Sequence, residues 1–122
     1  MELFTKKELE CKCGCGACDM QSDFMRRLKY ARRIADIPFV ILSGYRCEAH
    51  NAAVGGVDSS SHVRGYAGDI KVVSSTQRFI IMRALLLAGF TRIGVGRTFI
   101  HADCDPNKPA EVMCTYGKEA KR

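Results

Sequence analysis

The chain has 122 residues, 47% of them apolar, and a net charge of +6, which suits one domain with a modest core. It has no apolar run near the roughly 18 residues of a membrane-spanning helix, and its start, MELFTKKELECKCGCG, lacks the pattern of a signal peptide. We therefore expect no membrane insertion and synthesis in a cytoplasm. The positive charge fits a solvated basic surface, or attraction to a polyanion such as nucleic acid or an anionic cell wall.

The predicted elements come from apolar periodicity and from capping or turn residues. Phe24, Leu28 and Ala31, for example, recur at helical spacing, whereas FVILS is typical of a buried strand. In chain order we predict a short helix over 6–10 capped by Thr5, a loop over 11–19, a helix over 22–35, a strand over 39–43, a helical turn near 48–53, a strand over 67–73, a helix capped by Ser74 or Ser75 and closed by Gly89, strands over 92–96 and 98–104 joined by a tight turn, and a short strand over 111–116.

This order favours an α+β fold with a small, mostly antiparallel sheet flanked by helices. We expect one domain over 1–122, with the cysteine-rich segment 1–20 packed on it. We also expect a monomer.

Three side chains could converge on a metal ion. His62 and Asp69 can supply two ligands if the chain turns back between them, which Gly65 and Gly68 permit. His101, on a strand predicted to be adjacent in the sheet, can supply the third. Three N or O ligands leave the fourth position of a zinc ion open for water, as catalytic sites require.

Asp103 lies two residues beyond His101, so strand alternation places both side chains on one face. Its carboxylate could accept a proton from the attacking water, or it could orient His101. The sequence leaves both roles open.

The pattern Ser60-x-His62-x-x-Gly65-x-Ala67-x-Asp69, preceded by SGYR and HNAAVGG and followed by FIHAD, resembles the zinc D-alanyl-D-alanine carboxypeptidases of the VanY type. It is more similar still to their small phage-borne, endolysin-like relatives, which share a fold with the hedgehog signalling domain. The resemblance runs from about residue 4 to residue 116. It implies the hedgehog/DD-peptidase fold and zinc bound by His62, Asp69 and His101.

The resemblance also implies that Arg46 of SGYR polarises the scissile carbonyl or holds a substrate carboxylate, and that Ser60 contacts substrate. A surface ion pair for Arg46 and a turn-stabilising hydroxyl for Ser60 are the alternatives. Many relatives carry an acidic general base three residues before the last histidine ligand. Here that residue is Thr98, which cannot serve, so Asp103 is the candidate.

Seven cysteines are present, and four of them, Cys11, Cys13, Cys15 and Cys18, lie close together in the chain. Four thiolates could hold a structural zinc ion. Disulfide pairing to Cys47, Cys104 or Cys114 after export is the other outcome that the sequence leaves open. In either case we expect a structural role and no part in the chemistry.

The favoured function is a zinc peptidase that cuts the peptide stem of bacterial peptidoglycan. It would be made in a host cytoplasm and would act at the cell wall after release, or as a virion component. The alternative is a wall-binding module that keeps the zinc fold but has weakened catalysis, as Thr98 suggests. A nucleic-acid contact through the cysteines depends only on charge and cysteine content, and we expect none.

Overall fold

The computed structural model describes residues 3–57 and 60–116, and all structural statements below concern these residues. Within them lie four helices and five strands. In chain order they are α1 (Lys6–Leu9), α2 (Ser22–Ala35), β1 (Ile41–Ser43), α3 (Glu48–Ala53), β2 (Ala67–Lys71), α4 (Ser75–Leu87), β3 (Arg92–Val95), β4 (Phe99–Asp103) and β5 (Val112–Thr115).

The helix boundaries follow the predicted capping residues. Thr5 forms a capping box with Glu8 at the start of α1, so two backbone N–H groups that lack helical partners are satisfied. The Ser74 side chain accepts a hydrogen bond from the Gln77 N–H at the start of α4. Gly89, just beyond α4, has a φ of 91°. These predictions are confirmed.

The sheet has the strand order β1-β2-β4-β3-β5. The pairs β1–β2, β2–β4 and β3–β4 are antiparallel, and β5 joins β3 in parallel. The α+β prediction with a mostly antiparallel sheet is thus confirmed. In the central β2–β4 pair, Asp69 lies directly opposite His101, so the sheet itself brings two of the predicted ligands together.

The core lies between the sheet and helices α2 and α4. Fully buried side chains from both helices and from the two central strands fill it: Phe24, Leu28, Ile70, Ile81, Leu85 and Ile100. Phe4 and Leu9, from the N-terminal segment, are buried in the same cluster. None of the described helices is long and apolar enough to cross a membrane. The boundaries 1–122 of a single domain stay a prediction.

Two local predictions need correction. The strand predicted over 39–43 is limited to Ile41–Ser43, although the Val40 carbonyl still accepts the Lys71 N–H of β2 at 2.9 Å, and the other four strands are each one or two residues shorter than predicted. Gly65 has a φ of 80°, and a side chain there would collide with the carbonyl oxygen of Asp19. Gly68, by contrast, lies within β2 against the Phe24 ring. Of the two glycines, only Gly65 therefore gives the positive φ that the turn between His62 and Asp69 uses.

Candidate metal centre

His62 is held by the backbone that follows β1. Its Nδ1 lies 2.8 Å from the carbonyl oxygen of Gly44, and its own carbonyl accepts the Arg46 N–H at 3.2 Å. Since a carbonyl oxygen can only accept, Nδ1 carries a proton, and Nε2 is the ring nitrogen that a metal could use. That Nε2 lies 3.4 Å from Asp69 Oδ1. The SGYR segment thus fixes which nitrogen of His62 faces Asp69.

Asp69 and His101 meet across the β2–β4 pair. The Oδ1 atom of Asp69 lies 2.9 Å from His101 Nδ1. Each of the three residues His62, Asp69 and His101 offers a ligand atom within 4.8 Å of the other two. The structure therefore brings together the three residues that the sequence predicted as ligands, and we call this group the His/Asp cluster.

The donor set fits zinc. A tetrahedral ion with bonds of about 2.0–2.1 Å separates its ligand atoms by roughly 3.3 Å. The two measured separations around Asp69 Oδ1, 2.9 and 3.4 Å, lie close to that value. All three donors are N or O atoms, and only His101 is more than slightly exposed. They could hold one zinc ion and leave a position for water.

The electrostatics favour an ionised Asp69. Burial alone would raise the pKa of Asp69, but the charge of His62 and the hydrogen bonds to both imidazoles hold it well below its usual range. Burial would likewise lower the pKa of His101, yet its hydrogen bonds to Asp103 and Asp69 raise it to about 9. Without a metal, His101 is therefore a protonated bridge between two carboxylates at neutral pH.

Asp103 is buried, and both of its carboxylate oxygens have hydrogen-bond partners. Its Oδ2 lies 2.7 Å from His101 Nε2 and accepts the Arg92 Nε–H at 3.4 Å. Its Oδ1 accepts the Asp105 N–H at 3.3 Å and lies 3.1 Å from Arg92 Nε in the same ion pair. Burial opposes ionisation, but the bonds from His101 and the charge of Arg92 lower the pKa of Asp103. The carboxylate therefore contacts the imidazole edge opposite the one that faces Asp69.

Arg46 is buried beside the cluster, with Nη2 at 3.8 Å from Asp69 Oδ2. Its guanidinium donates to Ser43 Oγ at 3.3 Å and to Asn51 Oδ1 at 3.1 Å. Burial lowers the pKa of Arg46, whereas the Asp69 charge raises it. Side chains from β1 and α3 thus orient Arg46, and its contacts differ from those of a surface ion pair.

Ser60 and Thr98 occupy different positions relative to the cluster. The Ser60 Oγ accepts the N–H of His62 at 3.2 Å, so this hydroxyl supports the turn that carries the histidine. Contact of Ser60 with substrate stays a prediction. Thr98 is exposed, just before β4, and its carbonyl accepts the Val72 N–H.

Three residues near the His/Asp cluster were not predicted from the sequence. Arg92 was missed because its link to Asp103 depends on the β3–β4 register. Asp105 is buried and binds Ser61 Oγ and the Arg64 guanidinium, so it anchors the loop around His62. The Tyr116 ring lies against Gly94, which pairs with His101 across the sheet. Burial, followed by nearby negative charge, raises the pKa of Tyr116.

The cysteine cluster differs from the one predicted. Among the described residues, the sulfurs that converge are those of Cys11, Cys13, Cys15 and Cys47. Cys18, the fourth member that sequence spacing suggested, instead packs against the apolar core. Sequence spacing did not predict Cys47 because this residue is remote in sequence and joins the other three cysteines only through the tertiary fold. No disulfide joins any of the seven cysteines, all of which lie among the described residues.

Two comparisons with known proteins bear on this site. No curated protein matches the chain. The family model described as Peptidase M15 matches residues 2–105, a range that includes all three residues of the His/Asp cluster. Because the match spans most of the sequence, the chain belongs to the Peptidase M15 family of zinc-dependent peptidases, which includes VanY-type D-Ala-D-Ala carboxypeptidases and endolysin-like members.

Proposed function

We propose that this zinc peptidase hydrolyses an amide bond in the peptide stem of bacterial peptidoglycan, as a D,D-carboxypeptidase or an endopeptidase. The observation that carries the proposal is the convergence of His62, Asp69 and His101 in a chain of this family. A bound zinc ion would activate water and polarise the scissile carbonyl.

In this proposal the surrounding residues prepare the ligands. Gly44 keeps the proton of His62 on Nδ1 and leaves Nε2 for the metal. Asp103 accepts the Nε2–H of His101, which leaves Nδ1 for the metal and fixes the ring orientation. Of the two roles open for Asp103, its contacts favour this positioning role. Its use as the proton acceptor remains the alternative, and Asp103→Asn separates the two.

Arg46 would supply the positive charge next to the reacting groups. A guanidinium is a permanent, planar donor, so it suits either an oxyanion that develops on the scissile carbonyl or a carboxylate of the substrate. Because Ser43 and Asn51 already hold it in place, little side-chain freedom is lost when substrate binds. Ser60 would add a substrate contact at the turn before His62.

The test is clearing of purified peptidoglycan by zinc-loaded protein, by chelated protein and by chelated protein given zinc again. We expect clearing in the first and third samples only. His62→Ala should abolish clearing, whereas His50→Ala, the matched control for the histidine outside the cluster, should retain it. Folded, zinc-loaded protein that leaves peptidoglycan intact would contradict the proposal.

A wall-binding module with weakened catalysis is the second candidate, and it is favoured by Thr98 at the position where many relatives place an acid. Such a protein would co-sediment with peptidoglycan sacculi without releasing peptides. Both candidates place the protein at the bacterial cell wall after release from a host cell, or in a virion. Both also fit a monomer whose net charge of +6 attracts it to an anionic wall.

A further inference from the structure

Four cysteine sulfurs meet where the N-terminal loop contacts the start of α3. Cys11 Sγ lies 3.4 Å from Cys13 Sγ and 3.6 Å from Cys47 Sγ, and the Cys13 and Cys47 sulfurs are 3.7 Å apart. Cys15 Sγ lies within 4.8 Å of all three. No member of this group belongs to the His/Asp cluster, so the two groups can be tested separately.

These separations match a tetrahedral metal site. With Zn–S bonds of about 2.3 Å, the sulfurs of a tetrahedron lie roughly 3.8 Å apart. A disulfide would need about 2.05 Å between its two sulfurs, well below the 3.4 Å that separates Cys11 Sγ from Cys13 Sγ. The three measured distances, 3.4 to 3.7 Å, lie close to the tetrahedral edge.

The backbone supplies donors to the same sulfurs. The Cys47 N–H points at Cys11 Sγ, and the His50 N–H points at Cys47 Sγ, both at 3.4 Å. N–H donors stabilise thiolates, the form in which cysteine binds metal. Gly14, with a φ of 93°, turns the loop between Cys13 and Cys15 so that both can approach the group.

We propose that Cys11, Cys13, Cys15 and Cys47 form a second metal site, which binds one zinc ion through four thiolates. Four protein ligands leave no position for water, so the site is structural and takes no part in hydrolysis. It ties the N-terminal loop to residue 47, next to Arg46. The proposal does not depend on which bond the peptidase cuts.

The first experiment counts zinc in protein purified without chelator and loaded with zinc alone. We expect two equivalents in the wild type and one in the double variant Cys13→Ser/Cys15→Ser, which alters only exposed cysteines. The matched control Cys18→Ser/Cys114→Ser should keep two. His62→Ala should lose only the equivalent of the His/Asp cluster. A wild type with one equivalent that the Cys13→Ser/Cys15→Ser change leaves in place would overturn the proposal.

The second experiment maps thiol reactivity by alkylation and peptide mass spectrometry. Although Cys13 and Cys15 are exposed, zinc should protect them while the equally exposed Cys114 reacts. Removal of zinc should make both reactive. Rapid alkylation of Cys13 in zinc-loaded protein, or a disulfide that includes any of the four, would refute the site even if peptidase activity is intact. If zinc-loaded protein has protected thiols but no peptidase activity, the result would instead count against the proposed function.

Discussion

Substitution of Asp103 by Asn separates the two roles that this carboxylate can have. The variant keeps the shape of the side chain but removes its charge and one acceptor oxygen. In the wild type, the Asp103 carboxylate accepts from three donors, which belong to His101, Arg92 and the Asp105 backbone. An amide offers a single acceptor oxygen, so at least one of these donors loses its partner.

The expected effect follows from the contact to His101. Loss of a carboxylate that orients a metal-binding histidine typically weakens metal affinity by ~10–100-fold, about 1.4–2.8 kcal/mol. Saturating zinc should then restore most of the rate. A proton acceptor would behave differently: its loss would lower kcat by ~10²–10⁴ with zinc still bound.

The assay is a chelator-competition titration of zinc at the His/Asp cluster, followed by kcat at saturating zinc. Asp23→Asn is the control, because Asp23 pairs with Arg26 and Arg27 on α2 and contacts none of His62, Asp69 and His101. It should keep near wild-type zinc affinity. Unchanged affinity in Asp103→Asn together with a large fall in kcat would refute the positioning role and favour the proton acceptor.

Three further predictions concern zinc and the thiols. His62→Ala should abolish hydrolysis and lower the Tm measured in zinc, since bound metal stabilises only the folded state; a Tm equal to that of the wild type in zinc would contradict this. Because the pKa of His101 is raised to about 9, zinc must displace a proton at neutral pH. Calorimetry in buffers of different ionisation enthalpy, with Cys13→Ser/Cys15→Ser protein, should therefore detect proton release at pH 7.5 that falls by about one proton per ion above pH 9, while any proton lost by zinc-bound water adds to the release throughout; a release that does not fall above pH 9 would show that His101 is already neutral at pH 7.5. Alkylation of the accessible thiols in folded, zinc-loaded protein should leave hydrolysis largely intact, and loss of activity without unfolding would place a thiol in the mechanism.

Much of this fold is predictable because its signals are local. The capping residues Thr5 and Ser74 and the apolar spacing in α2 are read within a few residues, and the observed helices begin and end within a residue or two of the predicted positions. The His62 and Asp69 motif is equally local, since Gly65 supplies the turn. His101 was predicted because a β-strand neighbour could complete the set.

The remainder depends on long-range contacts that sequence spacing does not encode. Cys47 joins the thiol cluster from 32 residues beyond Cys15, and only the packing of the N-terminal loop against residue 47 reveals it. Arg92 reaches Asp103 through strand register, and β5 pairs with β3 in parallel although the rest of the sheet is antiparallel. Periodicity indicates that strands exist but leaves their order open.

The proposed function is hydrolysis of peptidoglycan peptides by zinc bound at the His/Asp cluster. Mass spectrometry of muropeptides tests it most directly, because each cut amide adds one water to the products and their masses identify the bond. Zinc-loaded wild-type protein should release new stem-peptide fragments that are absent with chelator and with His62→Ala, and present with His50→Ala. A digest by folded, zinc-loaded protein that contains only the muropeptides of the untreated wall would contradict the account.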